Sequence, residues 1–185
     1  MPEHGLVLRR WRASDVDAAV AAVERSYDEL HQWMPWAAVR PTAESIGSFL
    51  AVAGVEAASD VEMGFGLFAA DGELVGGFGL HGRRGPGILE IGYWVRSDRA
   101  GRGYATAAAG ALTEAAFAHF PEVDRVEIRC DPANRASAAI AVKLGYRLDG
   151  VVPADILTPA QTGSQLVWAR TRGDAPRSGG GSAGG

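Results

Sequence analysis

The sequence predicts an α/β protein with a mixed, partly antiparallel sheet flanked by helices. Short apolar runs with period-two alternation, typical of strands, recur along the chain. Asp71-Gly72 joins two of these runs as the turn of an antiparallel hairpin. Alanine-rich stretches with helical spacing separate the later runs, as crossover helices do.

The N-terminal part of the chain is predicted to hold one strand and two helices. Residues 6–11 form the strand, and Ser14 is the expected N-cap of a helix whose apolar stripe begins at Val16. A second helix begins near Thr42 or Ala43 and continues to about Val55. The remaining predicted elements are strands at 61–70 and 73–80, a loop at 81–87, a central strand at about 89–95, a long helix ended by Pro121 whose buried side includes His119, a strand at 125–129, a helix capped by Asn134, and strands at 147–152 and 165–169.

Length and composition indicate one domain, residues 1–172, followed by a Gly/Ser-rich tail, 173–185, that is expected to be disordered. Hydrophobic residues make up 47% of the chain and charged residues 22%, which is typical of a globular protein. The net charge of −4 argues against a nucleic-acid partner, and no apolar run approaches the length of a membrane span. The single cysteine, Cys130, excludes an internal disulfide and favours a cytoplasmic location.

The central strand and the turn after it form the most informative stretch. Alternation places Leu89, Ile91, Tyr93 and Val95 on one face of the strand. The turn Ala100-Gly101-Arg102-Gly103-Tyr104-Ala105-Thr106 then opens the long helix, whose bare amides and positive dipole end favour an anion such as phosphate. Neither the third glycine of the dinucleotide fingerprint nor a P-loop lysine is present. This turn alone is therefore equally compatible with a turn that binds no ligand.

A second segment follows in the chain: Asp131-Pro132-Ala133-Asn134-Arg135-Ala136-Ser137, with Gly145-Tyr146 closing the helix. Over about residues 5–150, the two segments together resemble the GNAT superfamily of acetyl-CoA-dependent N-acetyltransferases. Glu90-Ile91-Gly92-Tyr93-Trp94 and Trp33-Met34-Pro35-Trp36 look most like its ribosomal-protein-alanine N-acetyltransferase branch. The resemblance implies a GNAT-like fold, with a mostly antiparallel sheet splayed at the middle, and acetyl-CoA as the acyl donor. The four histidines show no metal-ligand spacing, so no metal is expected.

The resemblance also implies catalytic roles. The backbone N–H of Val95 is the expected oxyanion donor, exposed where the strand splays, and Gly92 lies where a bulge would produce that splay. Glu90 is the candidate base, because burial would raise its pKa toward neutrality; a solvent-facing carboxylate is the alternative. Ser137 is the expected acid or hydrogen-bond donor to the thiolate, since Ala141 occupies the position where many members have tyrosine. The alternative for Ser137 is a bond to its own helix backbone.

Two groups of binding residues complete the predicted site. Ala100 stands where Gln or Arg is usual in the family, so Arg99 or Arg102 is expected to supply the lost contact. On the acceptor side the residues are Trp33, Trp36, His81 and Glu90, with filling of the space between helices as the alternative for the two tryptophans. The predicted coenzyme-binding residues are Trp94, Val95, Arg96, Gly101, Arg102, Gly103, Tyr104, Ala105, Thr106, Asn134, Ser137 and Lys143.

The predicted function is direct transfer of an acetyl group from acetyl-CoA to a primary amine, either a protein N-terminus or a small molecule. The expected partner is this amine acceptor, without nucleic acid or membrane, and the protein is a monomer or a homodimer. An idle acyl-CoA-binding or amine-sequestering module of the same fold remains an alternative, and a nucleotide-dependent oxidoreductase is a third. Beyond about Gly150 the family pattern fades, so the sequence does not identify the acceptor.

Overall fold

The computed structural model describes residues 5–53 and 62–174, and these residues form seven strands and five helices. Three of the sequence predictions lie outside them: the helix end at Val55, the strand start at residue 61, and the tail from residue 175 onward. The elements in chain order are β1 (Val7–Arg10), α1 (Val16–Arg25), α2 (Tyr27–Trp33), α3 (Ala43–Ala53), β2 (Glu62–Phe68), β3 (Leu74–His81), β4 (Ile88–Val95), α4 (Tyr104–His119), β5 (Arg125–Cys130), α5 (Arg135–Lys143), β6 (Arg147–Pro153) and β7 (Ser164–Thr171).

The strands form one sheet in the order β1-β2-β3-β4-β5-β7-β6. Only β4 and β5 run parallel, and every other neighbouring pair is antiparallel. The mixed, mostly antiparallel sheet predicted from the sequence is therefore confirmed. Its one parallel pair requires a crossover connection, which α4 supplies.

The sheet opens between β4 and β5. These strands pair only from Ile88–Arg125 to Glu90–Glu127. Beyond Glu90, β4 stays with β3 as far as the Val95–Gly76 pair, while β5 stays with β7 as far as Cys130. The predicted splay is confirmed, but the bulge expected at Gly92 is absent from the regular β3–β4 ladder. The opening arises instead because β4 continues to pair with β3 while β5 continues to pair with β7.

Two apolar layers cover the faces of the sheet. On one face, α4 packs its fully buried Ala108, Ala109 and Ala116 near Leu89 and Ile91 of β4. Alanines allow the helix to approach the strands closely, as the sequence predicted. The other face is covered by the N-terminal helices, and its core consists of Trp11, Ala19, Ala22, Val23, Leu30, Ala37, Ile46, Leu50, Phe68 and Leu74. The splayed strands therefore lie between two packed helical layers.

Local capping differs from prediction at the first helix. Ser14 is not an N-cap, because it lies inside a short 3-10 turn, Ala13–Asp15, and α1 starts only at Val16. Asp15 stabilises this turn: its carboxylate accepts the Arg12 N–H at 2.8 Å and both terminal nitrogens of the Arg9 guanidinium at 2.7 and 2.8 Å.

Later helix boundaries agree better with the sequence. The predicted start near Ala43 is confirmed, as is the Asn134 cap, whose side-chain oxygen accepts the Ser137 N–H at 3.1 Å. His119, expected on the buried side of α4, is exposed at its end. Among residues 5–53 and 62–174, no helix has both the length and the apolarity needed to cross a bilayer.

Candidate active site

The gap between β4 and β5 exposes the backbone of Val95. In an antiparallel ladder the N–H groups of successive residues point to opposite sides of the strand. The Arg96 N–H donates to the Val75 carbonyl of β3 at 2.8 Å. The N–H of Val95 therefore points away from β3 and into the gap, where β5 has already separated. An amide in this position can hydrogen-bond an oxygen placed in the gap.

The turn into α4 presents an open helix end close in sequence to this strand end. Gly101 and Gly103 have φ values of +74° and +79°, and a Cβ at either residue would meet no atom within 4 Å. No side chain caps the helix, and its first bond back to the turn runs from the Ala107 N–H to the Gly103 carbonyl at 2.9 Å. The amides of Ala105 and Thr106, in the first turn, therefore have no intrahelical acceptor. This arrangement suits a phosphate.

The arginines near this turn differ in what they can offer an anion. Arg96 is buried, and its guanidinium binds Asp98 and Glu73 together with the Leu74 carbonyl. These carboxylates raise the pKa of Arg96, and they leave only its backbone for a coenzyme. Arg99 is paired with Glu73. Arg102 is exposed, with a single long contact of 3.4 Å to the Asp98 carbonyl, and is the arginine best placed to reach a phosphate.

The N-terminal turn of α5 brings Ser137 to β4. The Ser137 hydroxyl oxygen lies 2.9 Å from the phenolic oxygen of Tyr93, so it makes a cross-element contact in addition to the bond between its N–H and Asn134. Burial raises the pKa of Tyr93 to about 12, more than the Ser137 hydrogen bond lowers it. Tyr93 therefore stays neutral at physiological pH. Sequence reasoning placed Tyr93 only in the core, and its hydroxyl gave no separate signal.

Glu90 is buried on the opposite face of β4, but its environment differs from the predicted one. Its carboxylate accepts bonds from Arg83 at 3.0 Å and from Arg84 at 2.5 Å. Burial alone would raise the pKa of Glu90, yet the two arginines outweigh it and hold the pKa below the ordinary value. The expected rise toward neutrality is wrong. The arginines lie in the loop before β4, where the sequence pattern did not predict their approach.

His81 shares the Glu90 face, because the two residues are cross-strand partners. Its Nδ1 lies 2.5 Å from a carboxylate oxygen of Glu62 on β2. Trp94 lies on this face as well, over Gly77, and its ring centre is 6.2 Å from that of Trp36.

The remaining predicted site residues lie further out. Trp33, the last residue of α2, is half-buried and makes no ring contact with this group in the described part of the chain. Lys143 is exposed at the far end of α5 from Ser137. Within residues 5–53 and 62–174, no group of His, Cys, Asp or Glu side chains is arranged to hold a metal ion.

Residues 5–147 match the family model described as an acetyltransferase (GNAT) domain, which spans well over half of the chain. The chain belongs to the GNAT acetyltransferase family. Membership confirms the predicted activity class, N-acetyl transfer from acetyl-CoA. No curated protein sequence matches the chain significantly.

Solved structures share this GNAT fold. RimJ of Mycobacterium smegmatis, in complex with CoA-disulfide, has 26% identity and a TM-score of 0.79, with 90% of this chain and 82% of that chain covered. A Salmonella typhimurium acetyltransferase that modifies the N-terminal serine of ribosomal protein L7/L12 has 20% identity and a TM-score of 0.77, with 90% and 95% covered. The microcin C7 self-immunity acetyltransferase MccE, in complex with acetyl-CoA and AMP, has 18% identity and a TM-score of 0.81, with 90% and 92% covered.

Proposed function

We propose that this GNAT protein acetylates a primary amine by direct attack of the amine on acetyl-CoA, with no acyl-enzyme intermediate. The observation that carries the proposal is the Val95 amide, which points into the gap between β4 and β5, a few residues before the open start of α4. A thioester in the gap can have its carbonyl oxygen on this amide while the diphosphate of the same coenzyme lies at the helix end.

Backbone groups of β4 and of the first turn of α4 would form most of the hydrogen bonds to the coenzyme. Its pantetheine amides pair with the free edge of β4 around Trp94 and Val95, as an added strand does. The diphosphate accepts the first amides of α4, on Ala105 and Thr106, and lies beside Tyr104. The open space at Gly101 and Gly103 allows its close approach. Further coenzyme contacts are proposed for the backbone of Arg96 and the side chains of Arg102, Asn134, Ser137 and Lys143.

The bond changes of acetyl transfer follow from this position of the thioester in the gap. The amine nitrogen forms a bond to the thioester carbon, and the carbonyl oxygen becomes an oxyanion that accepts the Val95 N–H. When the tetrahedral intermediate collapses, the C–S bond breaks and its electron pair leaves on sulfur. The Ser137 hydroxyl, held by Tyr93, donates a hydrogen bond to this thiolate, and the thiolate then takes its proton through Ser137 or from water.

Glu90 is proposed to organise the acceptor side. Its lowered pKa keeps it ionised at neutral pH, and its bonds to Arg83 and Arg84 hold the loop before β4 against the acceptor side. Trp36 and Trp94 provide an apolar wall on the same face. The proposed acceptor-side residues are Trp36, His81 and Glu90, with Trp33 further out at the end of α2.

The acceptor class that we favour is an α-amine of a protein N-terminus, with a small-molecule amine as the second class. A free α-amine has a pKa of about 7.7–8.0 against about 10.4 for lysine, so a modest base suffices to deprotonate it. The Salmonella typhimurium relative, which modifies an N-terminal serine, supports the first class, and the microcin C7 self-immunity acetyltransferase supports the second. We further propose a single domain over residues 1–172, active in the cytoplasm as a monomer or homodimer.

An acceptor screen tests this function. The protein is incubated with acetyl-CoA and a panel of N-terminal peptides and small primary amines. The mass of each product is measured by mass spectrometry, and the release of thiol is followed in parallel. We expect at least one amine to gain one acetyl group, with matching thiol release. Coenzyme binding without transfer to any amine would favour the idle binding module.

A further inference from the structure

The imidazole of His81 is fixed at one nitrogen and open at the other. Its Nδ1 lies 2.5 Å from the Glu62 carboxylate. A carboxylate without a proton only accepts hydrogen bonds, so in the neutral imidazole the hydrogen is on Nδ1 and the lone pair is on Nε2. In the described part of the chain, no hydrogen-bond partner approaches Nε2. The Glu62 contact therefore selects the tautomer in which Nε2 can accept a proton.

The Nε2 atom lies over bare backbone. A Cβ built on Gly79 would come within 2.6 Å of Nε2, and one built on Gly92 within 3.2 Å. These two glycines are cross-strand partners, and Gly64 of β2 pairs with Gly79 on the other side. Three glycines therefore form a row across β2, β3 and β4 that we call the glycine track. The imidazole itself covers Gly79, and Gly64 is buried, so the space for an acceptor beside Nε2 lies at half-buried Gly92, where a Cβ would meet only the His81 ring within 4 Å among the described residues.

Charged residues border the track on one side. Glu62, His81 and Glu90 form the adjacent row across the same three strands. On β5, Glu127 is the register partner of Glu90 and continues the row, and its carboxylate accepts Arg125 and Arg129 at 2.7 Å each. Arg83 and Arg84 also face the row, and both are turned toward Glu90. Glu90 would have to leave two arginines before accepting a proton, whereas the Nε2 of His81 needs no rearrangement.

We propose that His81 is the general base for the acceptor amine and that Glu62 is its positioning residue. This inference rests on the proposed acetyl transfer and deepens it. Gly92 and Val95 are three residues apart on β4, about 10 Å, so Nε2 takes the proton of the attacking amine nitrogen through intervening water, and the neutral imidazole becomes an imidazolium paired with the Glu62 carboxylate. The proton then passes to solvent, and the thiolate leaves as described above.

The test compares two histidine variants at matched acetyl-CoA saturation. His81→Asn keeps a side-chain donor for Glu62 but removes Nε2. His119→Asn changes an exposed histidine at the end of α4 and is the matched control. We expect His81→Asn to lower kcat/KM for the amine by about 10²-fold or more at neutral pH, without changing acetyl-CoA affinity. The deficit should shrink as the pH rises through the pKa of the acceptor, because the free amine needs no base.

Two further variants keep the inference testable if His81→Asn folds poorly. His81→Ala should regain activity when imidazole is added, which a purely structural role would not produce. Glu62→Gln should shift the acid limb of the pH–rate profile, and Glu62→Asp should partly restore it. Equal activity of parent and His81→Asn across the pH range, or no rescue by imidazole, would overturn the inference alone. Parent protein that binds acetyl-CoA but acetylates no amine would overturn the proposed function, and this inference with it.

Discussion

The hydroxyl oxygens of Tyr93 and Ser137 lie 2.9 Å apart and connect β4 to the first turn of α5. The contact lies beyond Glu90, on the part of β4 that is not paired with β5. If Tyr93 donates to Ser137, the hydrogen of Ser137 is free to point toward a leaving thiolate. The two residues therefore act as one unit in the proposed mechanism.

A double-mutant cycle tests this unit. Ser137→Ala and Tyr93→Phe should each lower kcat by about tenfold, while acetyl-CoA affinity stays unchanged. The double variant should be no slower than the slower single variant, because residues that act together are not additive. Multiplicative losses in steady-state assays would show that the two hydroxyls act independently.

Glu90→Gln should lower the free energy of unfolding of the protein. The lowered pKa of Glu90 means that its stabilising effect is present above the ordinary value of 4.5 and is lost as the pH falls through the native pKa. We expect the variant to lose about 1–2 kcal/mol at pH 7, a modest value because Arg83 is half-exposed and solvent screens its ion pair with Glu90. Urea unfolding at pH 7 and at low pH should show this difference shrinking as Glu90 becomes protonated.

The pH–rate profile of the same variant separates the two possible bases. If His81 is the base, the acid limb of kcat/KM survives in Glu90→Gln, although the absolute rate falls. Disappearance of the limb in this variant would return the role of base to Glu90.

Gly103→Val should weaken acetyl-CoA binding at least about tenfold. The residue has φ of +79° and open space around its Cβ position, so the substitution strains the backbone and places methyl groups where the diphosphate would lie. Gly72→Val is a matched control, because Gly72 has φ of +83°, equally open surroundings, and a place in the β2–β3 turn. Calorimetric titration should find coenzyme affinity reduced only in Gly103→Val, whereas thermal unfolding should find both variants less stable by a similar amount.

Gly79→Ala should impair transfer while leaving acetyl-CoA affinity near that of the parent. Its Cβ would come within 2.6 Å of the His81 ring, so the ring must move off the glycine track. Gly150→Ala provides the control, since a Cβ there meets nothing within 4 Å. We expect kcat/KM for the amine to fall by about tenfold or more in Gly79→Ala alone. An unchanged rate would show that the position of the ring is unimportant.

The sequence predicted those features that depend on local chemistry. The start of α3, the Asn134 cap and the glycine turn before α4 each depend on a few neighbouring residues, and the sheet type followed from the strand and helix pattern. Ser14 was misassigned because Asp15 bonds to both Arg9 and Arg12, a contact that a capping rule does not include.

Features that depend on contacts distant in sequence were not predictable. The Tyr93–Ser137 contact joins residues 44 positions apart, and the His81–Glu62 contact joins residues 19 apart on different strands. Both require the strand register and the path of the chain, which single-residue patterns do not give. The pKa of Glu90 was predicted in the wrong direction for the same reason, because it depends on how the loop before β4 folds back.

The central claim is that acetyl-CoA binds at the open edge of β4 and at the start of α4. Amide hydrogen exchange with and without acetyl-CoA tests it most directly, because the proposed contacts are backbone N–H groups. The account predicts slower exchange at Val95 and at residues 101–106 when the coenzyme is bound. Unchanged exchange at these amides, with protection elsewhere in a protein saturated with acetyl-CoA, would contradict it.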